Sequence, residues 1–564
     1  MNWVGRRLPR YEDPVLLRGD GRYVADLARG ALAMRFVRSP VACGTIRAIE
    51  APSGARVITA DDLTGVKPLR PRLLRPDFVP IAQPVLATGR VTHVGEPIAA
   101  VIAETAAAAE DLAEQVAVEI EPGTPIVTLD QALAPGAPLV HDAAKRNTII
   151  DTGLDAGEVD AGFAAAAEIV AFTFVSRRQS AMPLEARGAL AAFDPSTGRV
   201  TLSISGQAPH LVRTAVADAL GIAEAELRVI APDVGGGFGQ KVPTIPEHIV
   251  TVWAARQLRC TVAWIEDRLE NLTASFHARD QRLDLRGAFA ADGRFLALDA
   301  DILCNVGAYG NTPVTAALEP LMAMTELPGP YDLRAYRVRT RGITTNTCPM
   351  APYRGVSRPV ITTAMERLMD TAAARLGLDP AELRRRNLIS AFPYHSLTGM
   401  VQDEGSYRQA MEEALEMADL PSFRRRQQAA RTEGHYLGLG FSVFAERTGY
   451  GTPTFAARKM EVTPGYERVE LAMDSSGFVE ARIGASPHGQ GLKTTLAQLL
   501  ADEIGIEPRH IRVVSGDTDR TPYGFGTFAS RAAVIAGGAC KLAGMKLRER
   551  LAEVAAQTLE VAAS

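Results

Sequence analysis

The sequence predicts an α/β (α+β) chain built as a small N-terminal unit followed by two related lobes. Three observations carry this reading. Residues 97–121 pass from a short apolar run through an Ala-rich helical stretch to a second strand, a β-α-β pattern. Two segments at an offset of 284 residues (Ala217 to Ala501) repeat helix, strand and glycine-rich loop in one order. The 564 residues amount to about three or four domains at roughly 150 residues each.

Taken in order, residues 31–38 and 57–60 read as strands. Residues 97–103 form a buried strand, 104–114 a helix, and 115–121 a strand that Glu121-Pro122-Gly123 ends. Residues 131–147, with Pro135, Gly136 and Pro138, read as a linker, so the first unit is placed at 1–130. The first lobe is placed at 148–395. Arg358-Pro359 opens a helix whose Ile361, Ala364, Met365, Leu368 and Met369 follow helical spacing. A second helix is expected from Asp379, with Pro380 in its first position and Glu382 closing a capping box. Its Arg384-Arg385-Arg386 run reads as an anion site, a solvated face or a subunit contact. The second lobe is placed at 396–564. It holds a helix over 492–504, a strand over 511–515, and a last helix striped by Leu547, Leu551, Val554, Ala555 and Leu559.

Composition removes several function classes. Against 65 acidic residues stand 61 basic ones, a net charge of -4. That balance gives no electrostatic reason for a nucleic-acid or anionic-membrane partner. The cysteines, Cys43, Cys260, Cys304, Cys348 and Cys540, include no CxxC pair, so no iron–sulfur or zinc ligand set is expected here. No apolar run follows Arg6, Arg7 and Arg10, and no stretch of about 20 apolar residues occurs, so the expected location is cytoplasmic. There is no GxSxG and no HExxH.

The loops carry the chemistry. Gly235-Gly236-Gly237-Phe238-Gly239-Gln240-Lys241 follows an apolar strand, and its glycines let backbone N–H groups approach an anion. Gln240 breaks both the Walker A and the GxGxxG patterns. Gly524-x-Gly526-x-x-Ala529 fits the looser dinucleotide pattern but stands well beyond its strand. Asp517-x-Asp519 lacks the register of a calcium loop. The repeat pairs Gly237-Phe238-Gly239 with Gly524-Phe525-Gly526, and Gln207 with Gln490, which places two loops at a shared cleft. His488, in Ser486-Pro487-His488-Gly489-Gln490-Gly491, reads as a site residue or as a turn before a helix. Arg354, in Pro352-Tyr353-Arg354-Gly355-Val356-Ser357-Arg358-Pro359, stands before a helix N-terminus, as an anion ligand or as part of a plain turn.

Taken together, these loops resemble the large subunit of the molybdenum hydroxylases, the family of xanthine dehydrogenase, aldehyde oxidase and aerobic carbon monoxide dehydrogenase. The resemblance covers essentially the whole chain. It implies an N-terminal hammerhead-like domain and two molybdopterin-binding domains, with cofactor loops at 235–241, 352–359, 488–491 and 526–531. It implies that Gln207 hydrogen-bonds a molybdenum ligand and that the Arg354 backbone lies beside the metal, the two positions expected to be catalytic. Gly236, Gly237, Phe238 and Gly239 would pack against the metal centre. His488, Gly489, Gln490, Gly491, Thr527, Ala529 and Ser530 would hold the pterin and its phosphates. No side chain binds molybdenum directly in this reading, since the pterin carries it, expected as the cytosine dinucleotide form. The implied reaction is hydroxylation with oxygen from water, the electrons leaving through an iron–sulfur small subunit to an FAD medium subunit.

The departures narrow the substrate. The loop 354–358 has no cysteine, which argues against carbon monoxide oxidation. Val242 stands where purine oxidases carry an acid, and Met322 falls near the position of a purine-binding arginine. Val356 replaces an aromatic clamp and widens the pocket. An aldehyde or an N-heteroaromatic compound remains. The family's general base, a glutamate in a Gly-x-Gly-Glu loop, is not found after Ser530. The expectation is therefore an enzyme subunit whose C-terminal lobe comes from another chain or a longer natural form. The alternative is a truncated, non-catalytic relative.

Overall fold

Residues 97–102 are buried on both faces of their strand, Pro97–Ala103. Such a run suits the middle of a sheet covered on both sides. In the computed structural model, which describes residues 2–313, 316–461, 464–560 and 562, this strand lies between Leu32–Arg38 and Arg56–Ile58, antiparallel to both. Leu32–Arg38 also pairs in parallel with Thr261–Ile265. The resulting seven-stranded sheet continues through Gly188–Phe193 and Val200–Ile204 to Leu227–Ile230. One sheet thus joins the N-terminal unit to the first lobe. Buried ion pairs hold the join, Arg38 meeting Glu247 at 2.7 Å and Glu270 at 2.6 Å. The helix after Pro97–Ala103 is Ala106–Gln115. It starts two residues later than expected because Thr105 caps it, its hydroxyl accepting from the Ala108 N–H at 3.1 Å.

A second, five-stranded sheet has the order Thr148–Ala156, Tyr336–Thr344, Phe295–Gly307, Gln281–Phe289, Glu168–Ser176. The long helix Arg358–Leu376 packs on it through Val360, Ile361, Ala364, Met365, Leu368 and Met369. The following helix, Pro380–Asn387, corrects two expectations. Asp379 caps it alone, accepting from the Ala381 N–H at 2.8 Å. Glu382 does not reach back to close a capping box, because Arg385 and Arg386 hold it at 2.6 and 2.8 Å. Nor is the arginine run a solvated face throughout: Arg384 is fully buried between Glu366 (2.9 Å) and Asp370 (2.7 Å).

The second lobe carries a three-stranded sheet, Val469–Met473, Val479–Ile483 and Ile511–Ser515. Helices Leu492–Ile504 and Gly537–Leu559 pack together beside it. The stripe of the last helix is only partly used. Leu547 and Leu551 join this core, while Val554 and Leu559 are exposed at 47% and 68%.

The internal repeat is structural. In each copy a strand, a helix and a second strand parallel to the first follow one another. The first is Val200–Ile204, Pro209–Leu220 and Leu227–Ile230; the second is Val479–Ile483, Leu492–Ile504 and Ile511–Ser515. The shared Gly-Ile pair has a physical origin. Gly221 and Gly505 end their helices at φ 66° and 88°, and the next N–H, from Ile222 or Ile506, returns to the carbonyl of Ala217 or Ala501. The two copies meet directly. Ala231 donates to the Gly516 carbonyl at 2.7 Å, Thr518 to that of Val229 at 3.0 Å, and Arg228 pairs with Asp517 at 2.5 Å.

Candidate functional site

Because the two copies meet at their strand ends, the loops that leave those ends converge. A cleft of about 1170 Å³ opens there, walled by both lobes and by the N-terminal segment. Gln207 joins the two glycine-rich loops. It is 1% exposed. Its Oε1 accepts from the Gly239 N–H at 3.0 Å, and its Nε2 donates to the Thr527 carbonyl at 2.8 Å. The Thr527 N–H in turn donates to the Gln207 carbonyl at 3.0 Å. The packing leaves no room for a Cβ. One at Gly237 would stand 2.5 Å from Gln207 Oε1, and one at Gly239 2.5 Å from the Pro352 carbonyl.

The arginine loop is tied to the first glycine loop. The Arg354 N–H donates to the Phe238 carbonyl at 2.9 Å. Phe238 and Val356 both hold left-handed backbones, at φ 55° and 56°. Strain of this kind persists only where the surroundings over-determine it, and it clusters at ligand sites. The Arg354 carbonyl is held by the guanidinium of Arg279, which stacks on Tyr353 at 4.1 Å.

The third and fourth loops complete the wall. The Ser486 N–H donates to the Thr527 hydroxyl at 2.9 Å, and the Gly489 carbonyl accepts from Arg10 at 2.7 Å. Ala529 and Ser530 both have φ 50°. Burial pushes the His488 imidazole below its usual range, with nearby Lys241 adding to the shift. That histidine is neutral at pH 7, and its Nδ1 is buried without a hydrogen-bond partner, as is the Ser486 hydroxyl.

The structure brings the expected residues together. Gln207, Gly236, Phe238, Gly239 and Arg354 line the cleft from one side; His488, Gly489, Gln490, Thr527, Ala529 and Ser530 line it from the other. Gly237 and Gly491 stand behind it. Gly237 packs on Gln207, and Gly491 precedes the helix Leu492–Ile504 beside Arg10. Val242, Met322 and Val356 also line it. Sequence reasoning missed four supports. Glu185 accepts from Gly235 N–H and the Ser205 hydroxyl, both at 2.7 Å, and pairs with buried Lys241 at 3.1 Å. Arg10 and Tyr23 bring the N-terminal segment to the rim. Arg279 clamps the arginine loop. Arg531, fully buried, pairs with Glu467 and donates to the carbonyls of Gly526 and Gly465, both at 2.7 Å. The loop 526–531 was expected at the site, but no local pattern marks Arg531 as the residue that ties it down.

The site fits a polar, multiply hydrogen-bonding ligand. Close-packed glycine loops bring backbone to the cleft wall, and buried His488 and Ser486 atoms lack partners. Leu321, Met322, Phe455 and Phe528 add an apolar face, beside which Arg358, Glu446 and Arg458 also line the cleft.

Comparison with known proteins agrees with this geometry. Residues 18–123 match the aldehyde oxidase and xanthine dehydrogenase a/b hammerhead domain. Residues 140–388 and 413–564 each match a molybdopterin cofactor-binding domain. The nicotine 6-hydroxylase large subunit of Paenarthrobacter nicotinovorans is 37% identical over 568 residues, 99% of this chain and 69% of that protein. The carbon monoxide dehydrogenase large chain of Hydrogenophaga pseudoflava is 34% identical, covering 98% and 71%. The crystal structure of quinoline 2-oxidoreductase from Pseudomonas putida 86 superposes with a TM-score of 0.96 at 37% identity, over 100% of this chain and 72% of that one.

Proposed function

Given that the chain belongs to the large-subunit family of the molybdenum hydroxylases, whose molybdopterin-binding domains it contains, we propose that it oxidises an N-heteroaromatic compound or an aldehyde with oxygen from water. The observation that carries this is the convergence of four loops on one cleft with an apolar wall. The relatives named for nicotine and quinoline support the heteroaromatic substrate. Bound in the cleft, molybdopterin supplies the two-electron oxidation and the activation of water.

The chain's own residues position and exclude. Gln207 fixes the separation of the two glycine loops, and one N–H of its amide has no partner among the described residues. Gly236, Gly237, Phe238 and Gly239 would bring backbone close to the cofactor. Arg354, its carbonyl held by Arg279, would offer its backbone to the cofactor. His488, Gly489, Gln490, Gly491, Thr527, Ala529 and Ser530 would hold the pterin and a cytosine dinucleotide. Met322, Val242 and Val356 leave an apolar chamber without purine-binding charges. A partner with iron–sulfur clusters and one with FAD would take the electrons, in the cytoplasm.

The test is purification of the chain with its partner subunits. One molybdenum per chain, cytidine nucleotide released on denaturation, and dye reduction with quinoline or an aldehyde are expected. Stoichiometric molybdenum without reduction by either class would sink the substrate reading. Arg279→Met is expected to lower kcat about tenfold or more with molybdenum content unchanged, since a hydrogen bond to a charged group contributes about 1.5–3 kcal/mol. Arg279→Lys should recover part of the rate.

A further inference from the structure

One wall of the apolar chamber carries an unbalanced charge. Tyr450, 2% exposed, is surrounded by Arg358, Arg447 and Arg458, whose guanidinium carbons lie 5.9, 5.1 and 4.9 Å from its ring centroid. Two carboxylates face this group. Glu326 meets Arg358 at 2.5 Å and accepts from the Tyr450 hydroxyl at 3.1 Å, and Glu446 meets Arg358 at 3.4 Å. Both are thus engaged by one arginine. Arg447 is exposed and donates to the Thr454 hydroxyl at 3.0 Å. Arg458 lines the cleft beside Tyr450, with which it shares a hydrogen bond; Glu326 acts on it only from beyond ion-pair distance, since that carboxylate is engaged by Arg358. Burial lowers its proton affinity, yet a guanidinium stays charged at any pH an enzyme works at.

A half-buried cation with no ion pair of its own is stabilised by a ligand that brings an anion to it. This one is also held in place. The Arg458 N–H donates to the Thr454 carbonyl at 3.1 Å. The residues on either side of the turn are bonded to the N-terminal unit, Leu74 N–H to the Lys459 carbonyl at 2.8 Å and Glu461 N–H to the Arg72 carbonyl at 3.1 Å. Around it the chamber is apolar, with Met322, Val356, Phe455, Met460 and Phe528 on its walls.

We infer that the substrate carries a negatively charged group, a carboxylate or its equivalent, on an otherwise apolar ring, and that Arg458 receives this group. A planar fork of donors matches a carboxylate through two parallel hydrogen bonds. The inference rests on the reading that the chamber holds the oxidised substrate. A phosphate of the cofactor is the other source of such an anion. The polar rim at Arg10, Gln490 and Lys493 is the better place for phosphate, and the test separates the two.

The purified multi-subunit complex is assayed with pyridine-3-carboxylate and with its neutral match, pyridine-3-carboxamide. The wild type should bind the carboxylate more tightly by calorimetry. Arg458→Met should raise KM for the carboxylate about tenfold or more and leave the amide within about twofold, the spread expected for one charged hydrogen-bonded contact. Arg458→Lys should recover part of the loss, with kcat and molybdenum content unchanged in both. Three results overturn the inference: no carboxylate preference in the wild type, equal loss for both rings, or loss of molybdenum and nucleotide from Arg458→Met, which would assign the arginine to the cofactor. If neither ring reduces the dye, the proposed oxidation fails for these substrates. Calorimetry still decides the role of Arg458, because it reads binding without turnover.

Discussion

Arg531→Met is expected to destabilise the second lobe by about 3–5 kcal/mol, the cost of leaving a buried carboxylate without its partner. Arg531 and Glu467 both have side chains sealed from solvent. Arg531 also donates to the carbonyls of Gly526, Gly465 and Tyr450, so its removal strands three acceptors as well as a charge. The loss should appear as a lower midpoint in thermal unfolding of the purified chain. It should also depend on pH, with a definite sign. Burial raises the Glu467 carboxyl above its usual range, while Arg531 pulls it down. A carboxyl whose folded-state pKa is raised favours the folded state at low pH and loses that advantage as pH rises through the folded value. Without Arg531 the folded pKa climbs further. The gap between wild type and variant should therefore be larger at pH 8 than at pH 5. An equal gap at both would show that Glu467 is not ionised opposite Arg531.

Gly526→Ala is expected to abolish cofactor retention while leaving the seven-stranded sheet folded. Gly526 has φ 95°, where a side chain is strained, at a cost on the order of 1–3 kcal/mol. The larger effect is steric. A Cβ there would stand 2.6 Å from the Ala208 Cβ and 2.9 Å from both the Ala208 Cα and the Gln207 carbonyl oxygen. These neighbours are backbone or fixed to it and cannot swing aside. The loop 524–530 must retreat from Gln207, which breaks the link between the two lobes at the cleft. Molybdenum and nucleotide content per chain measure the result. Gly438→Ala is the control, since nothing stands within 4 Å of its Cβ, and it should retain full content. If Gly526→Ala binds cofactor as the wild type does, this loop does not form the cofactor wall.

The sequence made the loops legible because their glycines and their order along the chain are local signals. The repeat was legible for the same reason: Ala-Asp-x-x-Gly-Ile is a helix ending that a short window displays. What binds the loops together was not legible. Glu467 and Arg531 stand 64 residues apart, and Arg279 and Arg354 stand 75 apart. No periodicity announces such pairs. Arg384 shows the same limit from the other side. Within an Arg-Arg-Arg run its charge points to solvent, and only the placement of Glu366 and Asp370 on the preceding helix buries it. The N-terminal unit was read as separate because its β-α-β pattern is self-contained in sequence. Its edge strand, Leu32–Arg38, nevertheless completes a sheet with Thr261–Ile265.

The contact between the N-terminal segment and the second lobe sets an order of events during synthesis. Trp3 N–H bonds Asp502, 499 residues away, and Arg10 bonds Gly489, 479 residues away. At about 5–20 residues per second, the ribosome delivers those partners roughly half a minute to a minute and a half after the N-terminal segment emerges. Until then one wall of the cleft does not exist. The part of the cleft wall that the first dozen residues form is therefore set only once residues 489–502 have been made.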